Sequence, residues 1–168
     1  MNLIRLFSFL LIPLLWATAS FAEPLSAPTG KPILVISGSI TNTNVGDTAQ
    51  FDREMLEAIG LQSVETTNPW YDGRVKFDGV SMDRLMTLVG AKGTKVTAVA
   101  LNDYVSTLPM EDFKTFNVIL ALKRDGNYMP VRDKGPLFII YPYESDPKLQ
   151  SQTYYTRSAW QVAKLIVE

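Results

Sequence analysis

Residues 132–142 read RDKGPLFIIYP: three charged side chains and a Gly-Pro turn, then the apolar run from Leu137 to Tyr141. A short continuous apolar run bounded by turn residues is the pattern of a strand buried on both faces. Working outward, residues 118–123 and 96–101 have the same apolar, β-branched character, and Asp125-Gly126 marks a tight turn after the first of them. Residues 33–36 form a further short strand that stops at Ser37-Gly38-Ser39. Residues 61–67 form another, followed by the turn Asn68-Pro69-Trp70-Tyr71-Asp72-Gly73. Two helical patterns lie among these strands. Phe51, Met55, Leu56 and Ile59 have helical spacing and are stopped by Gly60. Ser81 is a natural N-cap, with Asp83 near the positive helix end, and Leu85, Met86, Leu88 and Val89 follow as far as Gly90. Residues 109–113 read as one helical turn. The tail, residues 158–167, is compatible with helix, strand, or one followed by the other. Short strands outnumber helices without regular βαβ alternation, so the predicted class is α+β.

Composition narrows the chemistry. The chain has 168 residues, 46% hydrophobic and 20% charged, which is a globular composition for one domain. A net charge of -1 gives no surplus of Lys and Arg with which to hold a polyanion, so nucleic acid is not expected as a partner. There is no Cys and no His. That excludes a thiol nucleophile, a Ser-His-Asp relay, thiolate or imidazole ligation of zinc, and Cys or His ligation of haem.

Residues 1–22 read as a signal peptide. Arg5 is a short basic region, residues 6–16 are apolar except for Ser8 and Pro13, and Ser20 and Ala22 are small side chains before a cut after about Ala22. An uncleaved anchor would need about 20 apolar residues. The expectation is an exported, periplasmic chain with a single domain over residues 23–168.

Three groups of polar and aromatic residues stand at predicted strand ends: Trp70-Tyr71, Asn102-Asp103-Tyr104 and Arg132-Asp133-Lys134. Such groups suit a flat heteroaromatic ligand, because a ring stacks on indole or phenol while a carboxylate meets the paired N–H donors of an aminopyrimidine edge. The competing reading packs Trp70 into the core and makes a surface ion pair of Arg132 and Asp133. Asp103, Asp112, Asp125 and Asp133 are available as acids or bases, though spacing alone brings no two of them together. Gly90-Ala91-Lys92-Gly93-Thr94 follows a helix and lacks the Gly-Lys-Thr order of a phosphate loop, so it reads as a helix end and turn. Residues 144–156, rich in Tyr and polar side chains, read either as a docking surface or as a loop with Tyr154 and Tyr155 folded inward.

Four blocks carry a resemblance: Lys31 to Gly38 (KPILVISG), Phe77-Asp78-Gly79-Val80 before the helix ending at Gly90-Ala91, Ala98 to Tyr104 (AVALNDY), and Arg132 to Pro142. In this order they resemble the sulfite oxidase-type molybdopterin-binding domain, and more closely its short, stand-alone exported members. The resemblance spans most of the chain from Pro32 onward. It implies mixed sheets of short strands with a few short helices. The superfamily's enzymes hold molybdenum partly through a protein cysteine, which this chain lacks, so a molybdenum cofactor is not expected. Some short exported members are pterin-binding regulators that work with inner-membrane proteins making or degrading cyclic di-GMP. The resemblance therefore implies a non-catalytic pterin-binding protein with a membrane-bound signalling partner, its ligand met by Trp70, Asn102, Asp103, Tyr104, Arg132, Asp133 and Lys134. The alternative is a molybdopterin-dependent oxidoreductase or an accessory subunit of one. A third reading is a structural module whose site is filled by its own aromatics.

Overall fold

The computed structural model describes residues 24–168, so the signal-peptide reading and its cut lie outside the described residues. Two sheets form the frame. The first has the order β2-β1-β10-β5-β6, built from Ala49–Phe51 (β2), Leu34–Gly38 (β1), Val162–Val167 (β10), Lys95–Ala100 (β5) and Val105–Pro109 (β6). Strands β1 and β10 run parallel and the other neighbours antiparallel. The second sheet has the order β3-β4-β7-β8, from Leu61–Asn68 (β3), Tyr71–Ser81 (β4), Ile119–Arg124 (β7) and Asn127–Tyr128 (β8), with Phe138–Ile140 (β9) also antiparallel to β7. The four helices are short: Arg53–Ala58 (α1), Met82–Leu88 (α2), Glu111–Thr115 (α3) and Gln152–Arg157 (α4).

The apolar run that opened the reading becomes β9, and its Phe138, Ile139 and Ile140 are fully buried, as a strand covered on both faces requires. Ser81 caps α2, its hydroxyl accepting from Arg84 N at 3.3 Å, and Gly90 follows the helix with φ 61°. The first helix starts later than its apolar spacing suggests. Phe51 ends β2, and Asp52 is the N-cap, accepting from Met55 N at 2.9 Å. The same carboxylate accepts from Thr29 N at 3.0 Å and Gly30 N at 2.8 Å, which ties the extended segment before β1 to the helix start. Pro109 closes β6 instead of opening a helical turn, and α3 follows it. The tail resolves as Ser158 to Gln161 in extended and turn conformation and then β10, pinned by pairing to both β1 and β5.

One irregularity positions the site. The β4/β7 register runs Phe77↔Arg124, Asp78↔Lys123, then Gly79↔Ala121, leaving Leu122 as an extra residue. A bulge of this kind turns the strand and changes which face the following side chains take. It aligns Arg124 with Phe77 and Ala121 on one face, beside Tyr71. Gly79 is required at this crossing, because a Cβ there would stand 2.3 Å from the Leu120 carbonyl oxygen.

Candidate functional site

The β3–β4 turn of one sheet and the β5–β6 turn of the other come together at one end of the molecule, and α4 with the segment before β10 closes the gap. Between them is a cavity of about 320 Å³. Pro69 and Trp70 line it from the first turn, Asn102 and Tyr104 from the second, Gln152, Tyr155 and Thr156 from α4, and Ser158 and Trp160 from the segment behind. Every lining side chain is uncharged.

Hydrogen bonds hold these walls. Asn102 Oδ1 accepts from Tyr104 N at 3.2 Å and so shapes its own turn. The Tyr104 hydroxyl and Ser106 Oγ both donate to the Thr156 carbonyl at 2.9 Å, which fixes the end of α4 to β6. Below the helix, Asp112 Oδ2 accepts from Tyr141 Oη and from Arg157 Nη1, each at 2.8 Å. Burial, reinforced by the Asp112 charge, pushes the Tyr141 hydroxyl far above its ordinary pKa. The Tyr143 hydroxyl bonds Ser158, which donates to Tyr154 O at 2.8 Å, and burial again raises the phenol pKa. The rings of Trp70, Phe138, Tyr143, Tyr155 and Trp160 meet edge-on or tilted; Trp70 lies 5.2 Å from Phe138 and 5.8 Å from Trp160. Such T-shaped packing makes a stiff aromatic wall.

Behind Trp160 stands a second cluster. The Tyr71 hydroxyl donates to Asp133 Oδ1 at 2.9 Å, Arg124 Nη1 reaches Asp133 Oδ2 at 2.8 Å, and Arg124 and Lys134 lie over the Tyr71 ring at 4.3 and 4.8 Å. Burial and the bond to Asp133 push the Tyr71 hydroxyl up to about 12. Burial alone would raise the Asp133 carboxyl, but the Tyr71 hydroxyl and the Arg124 guanidinium outweigh it and hold the group below the usual carboxylate range.

The sequence-predicted residues divide accordingly. Trp70, Asn102 and Tyr104 line the cavity. Asp133 and Lys134 stand one layer back, with the Lys134 ammonium 5.6 Å from the Trp160 ring centre. Asp103 and Arg132 are exposed and do not line the cavity. Asp133 pairs with Arg124 and not with its neighbour Arg132, and both its oxygens are engaged. Asp112 does not line the cavity but anchors α4 through Arg157, and Asp125 serves structure elsewhere, accepting from Lys76 N at 3.1 Å. Tyr154 and Tyr155 fold inward against the core rather than outward.

What brings the three groups together is Trp160-Gln161, a pair sequence reasoning missed. Gln161 N donates to Lys134 O at 3.0 Å, its Nε2 to Val131 O at 2.7 Å, and its carbonyl accepts from Leu101 N at 2.9 Å. Asp103, Lys134 and Gln161 all have left-handed backbone, with φ of 63°, 63° and 55°. Strained backbone of this sort persists only where the surroundings hold it, and it gathers at functional sites. The signal for the missed α4 wall was the cluster of hydroxyl and aromatic residues from Ser151 to Thr156, read above only as part of a loop or docking stretch over residues 144–156.

No family model and no curated protein matches the chain. Among solved structures it is similar to the sulfane dehydrogenase SoxCD of Paracoccus pantotrophus, with a TM-score of 0.59, 17% identity, and coverage of 80% of this chain and 37% of that one. The chain thus spans little more than a third of that neighbour's length. At this identity the likeness is one of fold, and the architecture agrees with the class expected from the sequence: mixed α+β, with sheets of short strands and few helices.

Proposed function

We propose that this chain is a non-catalytic, periplasmic ligand-binding protein that holds a pterin between its two hairpin turns. We further propose that it passes the bound state to the periplasmic domain of an inner-membrane protein making or degrading cyclic di-GMP. The observation that carries the ligand reading is the cavity itself: a volume of about 320 Å³ walled by Trp70, Tyr104, Tyr155 and Trp160, with the amides of Asn102 and Gln152 and no ionised side chain. Small-molecule sites are concave, mostly apolar, and carry a few placed polar groups. A bicyclic ring stacks on the aromatic wall while the amides, which both donate and accept, meet its aminopyrimidinone edge. The exported location and the membrane partner rest on the sequence resemblance.

Of the cofactor implied by the resemblance, the cavity fits the ring and not the rest. The molybdenum cofactor carries a phosphate and a metal, whereas the lining offers neither a cation nor a thiolate.

The test is to recover the exported protein anaerobically, analyse released small molecules by mass spectrometry, assay molybdenum, and titrate tetrahydropterin by tryptophan fluorescence. A metal-free pterin and saturable quenching are expected. Aromatic stacking of a base is worth ~1–3 kcal/mol, so Trp160→Ala should weaken binding roughly 5- to 140-fold. No quenching, or molybdenum near one per chain, would overturn the reading. Asp103→Asn and Asp133→Asn, tested separately, decide whether a carboxylate joins the amides; unchanged affinity in both leaves the amides alone.

A further inference from the structure

Among the described residues strand β6 is an edge of the first sheet, and a groove of about 430 Å³ runs between it and α4, lined by Val105, Ser106 and Thr107 on one side and by Gln152, Thr153, Thr156 and Arg157 on the other. The phase of the β5–β6 ladder is set by Ala100 N donating to Tyr104 O and Met110 N to Thr94 O, each at 2.9 Å. The register pairs Ala98 with Ser106 and Val96 with Leu108 at the hydrogen-bonded positions between them. In an antiparallel ladder the alternate residues turn their N–H and C=O outward. Val105 and Thr107 therefore present two donors and two acceptors along the groove. Proteins usually guard such an edge with charge, proline or a covering element. Here VSTLP carries no charge, its proline comes last, and Val105 is 54% exposed.

We infer that this groove receives an extended, β-branched segment of a partner protein, which adds a strand to β6 and lies against α4. Main-chain bonds to an edge supply affinity in this mode, and the flanking wall supplies side-chain selection. Ser106 and Leu108 point into the core, so the incoming chain meets Val105 and Thr107, beside which β-branched residues pack best. The threonines of α4 and Gln152 offer hydrogen bonds to its other side chains. Gln152 and Thr156 line both this groove and the ligand cavity, so the helix is shared between the two. Only the coupling between the two sites rests on the pterin reading; the groove stands on the edge left open among the described residues.

A displayed library of random heptapeptides, selected against the full chain without pterin, tests it. Enrichment of Val- and Thr-rich peptides is expected. Thr107→Pro removes one outward N–H at an edge position that tolerates proline, and should weaken those peptides at least about tenfold with the melting temperature unchanged. Val105→Glu, which charges the edge, is the second variant should the first not fold. No enrichment, or equal binding to both folded variants, overturns the inference. Self-association in sedimentation that Thr107→Pro abolishes would also overturn it, by assigning the edge to a second copy. Adding saturating tetrahydropterin should then shift peptide affinity; an unshifted affinity, with peptide binding intact, refutes the coupling and leaves the groove in place.

Discussion

Replacing Asp112 by alanine should destabilise the domain and loosen α4 in particular. The carboxylate is 7% exposed and takes two donors on one oxygen, the Tyr141 hydroxyl and Arg157 Nη1, each at 2.8 Å. Its loss leaves the Tyr141 hydroxyl buried without a partner, a cost of ~1–3 kcal/mol. Breaking a fully buried ion pair costs ~3–5 kcal/mol, but the Arg157 side chain is 24% exposed and recovers part of its hydration, so only a fraction of that applies. The sum is about 2–4 kcal/mol, which for a domain of this size lowers Tm by roughly 5–15 °C. Urea unfolding gives the magnitude, and amide exchange should quicken in α4 more than in β1 or β10. Tyr141→Phe alone should cost ~1 kcal/mol. Added to Asp112→Ala, it removes the orphaned hydroxyl, so the double variant should be less destabilised than the two singles together by ~1–2 kcal/mol. A loss under ~0.5 kcal/mol for Asp112→Ala, or strict additivity with Tyr141→Phe, would refute the account of α4 as held by this carboxylate.

Two further predictions concern the second sheet and the cluster behind Trp160. Gly79→Ala places a methyl against the Leu120 carbonyl and should cost well over ~1 kcal/mol in chemical denaturation, although alanine is better tolerated in strands generally; a neutral result would mean the bulge relaxes freely. Tyr71, with its hydroxyl pushed up to about 12, keeps its proton longer in the folded than in the unfolded chain. Its contribution to stability is therefore whole below the ordinary tyrosine value of about 10 and is lost as pH rises from there through 12. Tyr71→Phe should flatten that part of the stability curve, and ultraviolet titration should lose one late-ionising phenol.

The elements legible in the sequence are those whose burial is continuous or whose caps are local. Strand β9 announced itself by its apolar run, and α2 by Ser81 and Gly90. The longest strand, β4, was lost between a turn and a helix because its alternation is interrupted: Asp72-Gly73 and Asp78-Gly79 look like turn chemistry, yet Gly79 is there for the close approach of β7. Strand β6 was hidden by being five residues at an edge, half exposed and closed by proline. Helix α4 has no side-chain cap bond at Ser151, and its order comes from tertiary bonds such as Arg157 to Asp112. At the site, the three polar-aromatic groups were visible because unusual residues cluster in the chain. Their meeting point was not, because Gln161 joins two of them through main-chain groups of Leu101, Val131 and Lys134, which leave no mark on composition, while the Trp160 ring meets Trp70.

That construction bears on the signalling role proposed above. A bound ligand transmits nothing unless it favours one of two arrangements by its difference in affinity for them. The two sheets are poor candidates for a moving part, since each strand is fixed by ladders on one or both sides. Helix α4 is different: it is six residues long, lies outside both ladders, and is fixed through Thr156 to β6, Arg157 to Asp112 and its tyrosine rings to the core. A shift of this one element changes the wall of the cavity and the wall of the groove together, because Gln152 and Thr156 belong to both. A tenfold change in partner affinity asks for about 1.4 kcal/mol of coupling, less than the stability assigned above to Asp112 alone. If the proposed ligand and partner bind as argued, weakening that anchor should therefore lower both affinities together, whereas changes in Trp160 or Thr107 should each act first on their own site.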